Sequence, residues 1–499
     1  MSNQKDSKDE SEQHCQVVVI GGGLTGLTTA FTLHKMGYTV KVLEKNDRIG
    51  GQIHTFQEKG YTFEGGPNTG VVSYPEVSEL FSALSPACTL ATAREAAKCR
   101  FIWKGQRFHA LPSGLKEALA TPLFSWKDKF RILGEPFRAP GKDPNESVAA
   151  LTCRRLGKSY FKYAVDPFLS GVYAGDPNTL VTRFALPKLY NLEAEYGSFI
   201  RGAIAKARQP KTERDKLATK KVFSAQGGLS HLTDALAQGI ETDDNTQSTN
   251  GSIRRIELSA SGVSVRPLDK EITPASDNET SDALRWQVSY TNVLGTSCKI
   301  LCQWVVTTTG AYALPNILPF VDHTSMKTFT SLRYAPIVQV CVGIKNPHPS
   351  LRPAFGGLVP TCEHQPALGI LFPSDCFEGR APQGCSLYSF FLGGIRHPEV
   401  LNQTDEQLHA LVCKLLHDML GFPFEAEPDV LRIFRHEKAI PQYEKSSEQR
   451  FAAIEVVQHM YPGLMIGGNI KGGIGMADRI RQAVNISVEI DEKMKEENR

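Results

Sequence analysis

Near the start of the chain, Gly21-Gly22-Gly23-Leu24-Thr25-Gly26 has the spacing G-x-G-x-x-G. Glycines at these intervals suit the grip of a dinucleotide. Gly21 allows a tight turn, Gly23 lets the backbone approach a pyrophosphate, and Gly26 lets a helix pack closely on a strand. Glu44, 23 residues beyond Gly21, is a carboxylate placed to accept from ribose hydroxyls. A second glycine-rich stretch, Gly467-Gly468-Asn469 and then Gly472-Gly473-Ile474-Gly475-Met476, lies near the other end and aims backbone N–H groups at a ligand. No paired carboxylates and no Ser/His/Asp order stand out. Neither a CxxC pair nor a His-rich partner suggests a metal.

The flanking patterns predict the elements that hold these residues. Gln16–Ile20 reads as a strand buried on both faces. Leu24–Met36 has helical apolar spacing with Gly37 placed to stop it, and Thr39–Leu43 predicts the next strand. Leu464–Asn469 is expected as a strand running into glycines, with a helix through Ala477–Val488. A third piece of the same unit is expected over Phe223–Gly310. It has strands around Ile253–Val265 and Trp286–Tyr290, a buried strand at Trp304–Gly310, and loops at 241–252 and 269–283. From Gly114 to Lys221 the pattern is helical and broken by prolines. Apolar Leu123, Phe124, Trp126, Phe130, Phe137 and Phe168 precede a basic stretch with Arg201, Lys206, Arg208, Lys211, Arg214, Lys216, Lys220 and Lys221, a combination that suits an anionic membrane surface. Tyr312–Arg435 mixes strands and helices, among them a strand at Ile337–Ile344 and a helix at Leu408–Leu420.

Length and composition bound the answer. A chain of 499 residues predicts two or three domains, and 41% hydrophobic with 22% charged residues is globular. Lys plus Arg is 56 against 53 for Asp plus Glu, so net charge does not point to nucleic acid. No apolar run is long enough to span a bilayer. The polar first residues fit neither a secretory signal nor a transit peptide and read as a disordered tail. Eleven scattered cysteines suit free thiols in a reducing cytosol.

Asp47-Arg48-Ile49-Gly50-Gly51-Gln52 after Glu44 makes the pattern E-x(3)-R-x-G-G, and Gly65-Gly66-Pro67-Asn68 follows. This resembles the flavin-containing amine oxidase superfamily and implies FAD as the dinucleotide. Further stretches resemble oxygen-type flavin-dependent protoporphyrinogen oxidases within it. These are Leu111–Gly114 with Thr121–Leu123 and Glu135-Pro136, then Asp166–Pro177 (DPFLSGVYAGDP) with Glu195–Ser198, then Phe355–Pro360 with Leu368-Gly369 and Arg380–Pro382. The resemblance runs from residue 16 to about 488.

It implies an α/β, multidomain fold: a discontinuous Rossmann-like FAD-binding domain (15–96, 222–310 and 436–499), a helical membrane-associated domain (97–221), a mixed-sheet substrate domain (311–435), and a tail at 1–14. The implied reaction removes six electrons from a porphyrinogen in three two-electron steps, with dioxygen as acceptor. The flavin carries the chemistry, so no catalytic side chain and no metal are implied. Implied FAD contacts are Gly21–Gly26 (Gly21, Gly22, Gly23, Leu24, Thr25, Gly26), Glu44, Lys45, Arg48, Gln52, Gly66, Pro67, Asn68, Thr69, Ile253, Asn469, Ile474, Gly475 and Met476. Implied substrate contacts are Arg100, pairing with a propionate, Gly171 at the macrocycle, and Phe355, Val359, Leu368 and Ile370 around the ring. The expected setting is cytoplasmic, peripheral to a membrane, with no nucleic-acid partner and a homodimer left open. Coproporphyrinogen oxidation is the alternative within the family. A related amine oxidase or carotene desaturase fits the SGVYAGDP stretch less well. A non-catalytic binding protein like the prenyl-protein GDP-dissociation inhibitors is the alternative of another class.

Overall fold

The computed structural model describes residues 11–242, 254–268, 284–346 and 351–497. Its first sheet forms around β1 (Ser11–Ile20), whose Val17, Val18 and Val19 are fully buried. A run of β-branched residues with no polar face fits only a strand covered on both sides. β1 pairs in parallel with β2 (Val40–Leu43) and with Ser297–Thr307. The latter strand changes neighbours along its length. Its first half takes Trp286–Thr291 in antiparallel fashion, and Val305–Thr307 takes Leu464–Ile466 in parallel. The crossover between β1 and β2 is α1 (Leu24–Lys35), buried against Ser230–Glu241 and the C-terminal helix Met476–Glu497. The opposite face is covered by Ala311, Leu314, Ile317 and Phe329 together with Ile454 and Val457.

A second sheet has the order Val430–Pro441, Tyr334–Lys345, Cys385–Gly393, Ala367–Leu371, Gly356–Leu358, Arg100–Lys104, Arg107–Ala110. Helix Asp405–Leu420 closes one of its faces over Val338, Val340, Ile370 and Phe390. Tyr61 and Phe63, from the hairpin Thr55–Glu58/Tyr61–Glu64, meet the other face at Cys341 and Leu387. That hairpin couples the two sheets.

Helices dominate residues 115–216. They gather round a buried ion pair, Glu135 with Arg155, and both side chains are fully buried. Among the described residues no helix is long and apolar enough to cross a membrane.

Several expected boundaries move. Ser11–His14, expected in the tail, extend β1 along Cys298–Leu301, while residues 1–10 lie outside the described residues. Residues 100–110, expected in the helical part, are a hairpin of the second sheet, turned by Gly105 and Gln106 at φ 59° and 62°. Residues 311–332, expected with the substrate domain, pack on the first sheet because their apolar side is buried there. Val430–Pro441 pairs with Tyr334–Lys345, so the second sheet extends past residue 435. The loop expected at 269–283 lies outside the described residues.

Candidate active site

The loop between β1 and α1 is the first wall of the site. The helix has Gly23 as its N-cap, which gives no side-chain hydrogen bond to the first-turn N–H groups. A Cβ built on Gly23 would meet no protein atom within 4 Å. A Cβ on Gly26 would lie 1.9 Å from the Gly21 carbonyl oxygen. Gly26 is therefore glycine for packing, and Gly23 faces open space before uncapped N–H donors at a positive dipole end, a setting that suits a pyrophosphate. Leu24 and Thr25 are buried in the first turn.

Glu44 directly follows β2 and is buried. Its Oε2 accepts from the Gly22 N–H at 2.7 Å, and its Oε1 accepts from Asn46 N at 2.9 Å and Nδ2 at 2.7 Å. A carboxylate has about four acceptor positions, so three such bonds leave room for one hydroxyl donor.

Arg48 holds the next loop by its own carbonyls. It donates to Ile49 O and Ile53 O at 3.0 Å each and to Gly51 O at 2.7 Å. The Gly50 N–H donates to Gly22 O at 2.8 Å, which seats this loop against the first. Gln52 is exposed and donates to the Lys438 and Ala439 carbonyls, while Lys45 is exposed.

The Gly65–Thr69 turn is held from beneath by Glu64. Its carboxylate takes Arg380 at 2.8 Å, Thr55 Oγ1 at 2.7 Å and the Leu229 N–H at 3.0 Å, and Gln339 Nε2 donates to the Glu64 carbonyl at 2.8 Å. Asn68 Nδ2 returns to Gly66 O, and Asn68 Oδ1 accepts from Ser389 on the second sheet. Pro67 and Thr69 are half-buried in this turn.

The second glycine turn stands beside the first. The Gly467 N–H donates to Thr307 O at 2.8 Å, and Tyr443 OH donates to Asn469 O at 3.0 Å and Gly473 O at 2.9 Å. Buried Arg479 donates to the Gly468 and Lys471 carbonyls, and Gln482 accepts from the Gly468 N–H. Gly475 N is taken by Asp478, and Met476 is buried against Gly70. Ile474 packs with Leu169 and Tyr173 of helix Asp166–Tyr173, so that helix connects the turn to the second sheet. Ile253 lies outside the described residues.

Among the residues expected to meet substrate, a Cβ on Gly171 would come within 2.4 Å of Leu358 Cδ2. Strand pairing puts Leu358 and Phe391 opposite Gly369, on the face that carries Ser389 and meets Asn68, and Leu368 packs beside Phe391. Val359 and Ile370 do not share this face. They are buried in the core under Asp405–Leu420, because neighbouring residues in a strand point to opposite sides. Phe355 is half-buried just before strand Gly356–Leu358 and beneath Arg100, whose guanidinium lies 5.3 Å from its ring centre. Arg100 is exposed and has no ion-pair partner among the described residues. Leu358 and Phe391, which share this face, were not among the expected site residues, nor were Arg380, Tyr443, Arg479 and Gln482, which hold the turns. Leu358 is followed by Val359, and Phe391 lies between Phe390 and Leu392, so no local alternation marks the face. A buried arginine carries no local mark.

The profile of the flavin containing amine oxidoreductases matches residues 24–470, and the chain belongs to this family. It is an FAD-dependent oxidoreductase. Among curated relatives, it is 29% identical to protoporphyrinogen oxidase 2, chloroplastic/mitochondrial, of Arabidopsis thaliana, over 95% of this chain and 93% of that protein. It is 26% identical to protoporphyrinogen oxidase of Homo sapiens, over 91% and 94%. Among solved structures, one from Exiguobacterium sp. 255-15, a protoporphyrinogen oxidase by provisional assignment, superposes with a TM-score of 0.75 at 20% identity, covering 97% of this chain and all of that one. Reduced UDP-galactopyranose mutase has a TM-score of 0.66 at 15% identity over 95% and 93%. The last two show a common fold, and a fold alone does not choose a reaction.

Proposed function

We propose that this chain oxidises protoporphyrinogen IX to protoporphyrin IX, with dioxygen as acceptor. Six hydrogens leave the macrocycle, and their six electrons and six protons convert three dioxygen molecules to hydrogen peroxide. FAD, when bound, supplies the two-electron acceptor for each step. Gly21–Gly26 would hold its pyrophosphate and Glu44 its ribose, and Gly66–Thr69 with Asn469 and Ile474–Met476 would hold the remainder. Arg48 and Gln52 set the loop between these walls.

The observation that carries the substrate reading is the apolar wall of Leu358, Leu368 and Phe391, with Gly171 seated on it, beside the face that meets Asn68. A large apolar ring needs such a wall, and its propionates need a cation at the rim. Arg100 is that cation. The wall excludes water from the ring, and Arg100 orients its carboxylate edge. Full-length similarity to proteins named protoporphyrinogen oxidases supports the same choice. Assay of both protoporphyrinogen and coproporphyrinogen by porphyrin fluorescence, with and without dioxygen, tests it. Faster turnover of coproporphyrinogen would shift the assignment to the alternative substrate.

Replacing Arg100 by Ala is expected to leave FAD bound and to raise KM mainly, because the propionate lies far from the reacting carbons. A charge-assisted hydrogen bond is worth about 1.5–3 kcal/mol, or about tenfold to a hundredfold in kcat/KM. Lysine should restore part of this, since it lacks the planar fork. Unchanged kcat/KM on both porphyrinogens removes Arg100 from the site.

Peripheral membrane association is the second part of the proposal. Trp126, Phe130 and Leu133 on helix Trp126–Leu133, and Phe137 in the 3-10 turn that follows it, are 60%, 67%, 68% and 83% exposed. Such a surface suits an interface. Co-sedimentation with anionic vesicles should fall as salt rises. No sedimentation at low salt refutes it.

A further inference from the structure

Four of the eight cations of the basic stretch that follows the apolar helices are engaged within the protein. Arg214 pairs with Glu76 and Glu79, Lys216 with Glu213, and Lys206 with Glu195, while Lys220 donates to Ser73 O. A different group of cations is free. Lys127, Arg131, Lys158 and Lys162 line an open cleft of about 620 Å³ between helix Trp126–Leu133 and the segment 153–163. None of the four has an ion-pair partner among the described residues. The one carboxylate in the cleft, Asp128, is occupied by the Ser125 N–H at 3.1 Å and hydroxyl at 2.6 Å. Gly157, at φ 100°, lies under the Arg131 side chain, where a Cβ would come within 2.6 Å of Nε. The backbone here leaves space for the guanidinium over the cleft floor.

The same helix carries the exposed apolar stripe. Trp126, Phe130 and Leu133 follow i, i+4, i+7 spacing, Lys127 and Arg131 run one position behind them, and no residue of the helix is buried. A helix of this kind has an apolar edge and an adjoining cationic edge, both open to solvent. Resting on the membrane reading above, we propose that the cleft is a binding site for the phosphodiester headgroup of an anionic glycerophospholipid, whose acyl chains meet Phe130, Leu133 and Phe137. Charge complementarity selects the headgroup: four cations line the cleft against one carboxylate, Asp128, whose oxygen is taken up by Ser125. The adjoining apolar stripe selects a lipid over a soluble phosphate, since only a lipid uses both edges at once.

The test uses the full flavin-loaded chain with vesicles of phosphatidylcholine alone or mixed with phosphatidylglycerol. Wild type should bind the mixed vesicles and bind the neutral ones weakly. Arg131→Gln with Lys158→Gln should weaken binding to mixed vesicles by about thirtyfold, from the contribution of each surface cation. Flavin content and melting temperature should match wild type. Arg208→Gln with Lys211→Gln, outside the cleft, should lose much less. Equal losses in both double variants would mean diffuse attraction and overturn the cleft. Phe130→Ser should weaken binding to both vesicle types, and an unchanged affinity would overturn the acyl contact. Soluble glycerophosphoglycerol binding as tightly as the mixed vesicles would assign the cleft to a soluble phosphodiester instead. Failure of wild type to bind mixed vesicles would sink the membrane reading and this proposal with it. Wild-type binding with an unaffected cleft variant would sink the cleft alone.

Discussion

Gly23→Val should purify as a folded, colourless protein. Gly23 has φ −80° and ψ −179°, extended backbone that valine adopts without strain, and its Cβ would touch no protein atom. The new side chain would stand where a pyrophosphate must approach the first turn of α1. Overpacking of that kind costs on the order of 3 kcal/mol, which is about a hundredfold or more in flavin affinity. Gly26→Ala is the contrasting variant. Its Cβ would lie 1.9 Å from Gly21 O, so helix and strand must separate and stability should fall before binding is at issue. Absorbance at flavin wavelengths and a melting curve distinguish the two. Stoichiometric flavin in Gly23→Val would refute the phosphate role of this turn.

Arg155→Met should destabilise the helical part by about 3–5 kcal/mol, the range for removing one partner of a buried pair. Glu135 is fully buried and accepts from Arg155 Nε at 2.8 Å, Ser198 Oγ at 2.5 Å, Phe199 N at 3.0 Å and Ile200 N at 3.2 Å. Methionine would leave that carboxylate without its cation, and would free the Arg138 and Gly197 carbonyls that Arg155 also holds. The same site sets a pH dependence. Burial works to raise the Glu135 pKa, but the Ser198 hydroxyl, the two backbone N–H groups at a helix start and Arg155 outweigh it and hold it below the ordinary carboxylate value. A depressed pKa contributes stability that is present above the ordinary value and lost as pH falls through the folded one. Wild type should therefore lose melting temperature on acidification, with a smaller slope in Glu135→Gln. Equal slopes would show that Glu135 does not titrate with unfolding.

The cofactor end of the molecule was legible because its signals are local. A β-branched run, glycines at fixed intervals and helical spacing after them define β1, α1 and β2 to within a few residues. The Tyr334–Lys345 strand and the Asp405–Leu420 helix were legible for the same reason, as long uniform patterns. The Arg100–Ala110 hairpin was not, because its turn is only Gly105-Gln106 and its partner strand, Gly356–Leu358, lies some 250 residues away. The facing of the residues expected around the ring was not legible at the level of one residue. Leu358 and Val359 are both apolar, and only pairing with Gly369 shows which one shares the face with Ser389. Within the basic stretch the pairing of Arg214 was not legible, because its partners Glu76 and Glu79 come from another part of the chain.

The most direct measurement is to mix the purified, flavin-loaded chain with protoporphyrinogen IX without dioxygen, following flavin absorbance and porphyrin fluorescence together. Porphyrinogen oxidation at this site predicts bleaching of the flavin band on mixing, then recovery of colour and release of fluorescent protoporphyrin when dioxygen is admitted. A flavin band that stays unbleached by both protoporphyrinogen and coproporphyrinogen, in protein with full flavin content, would contradict it.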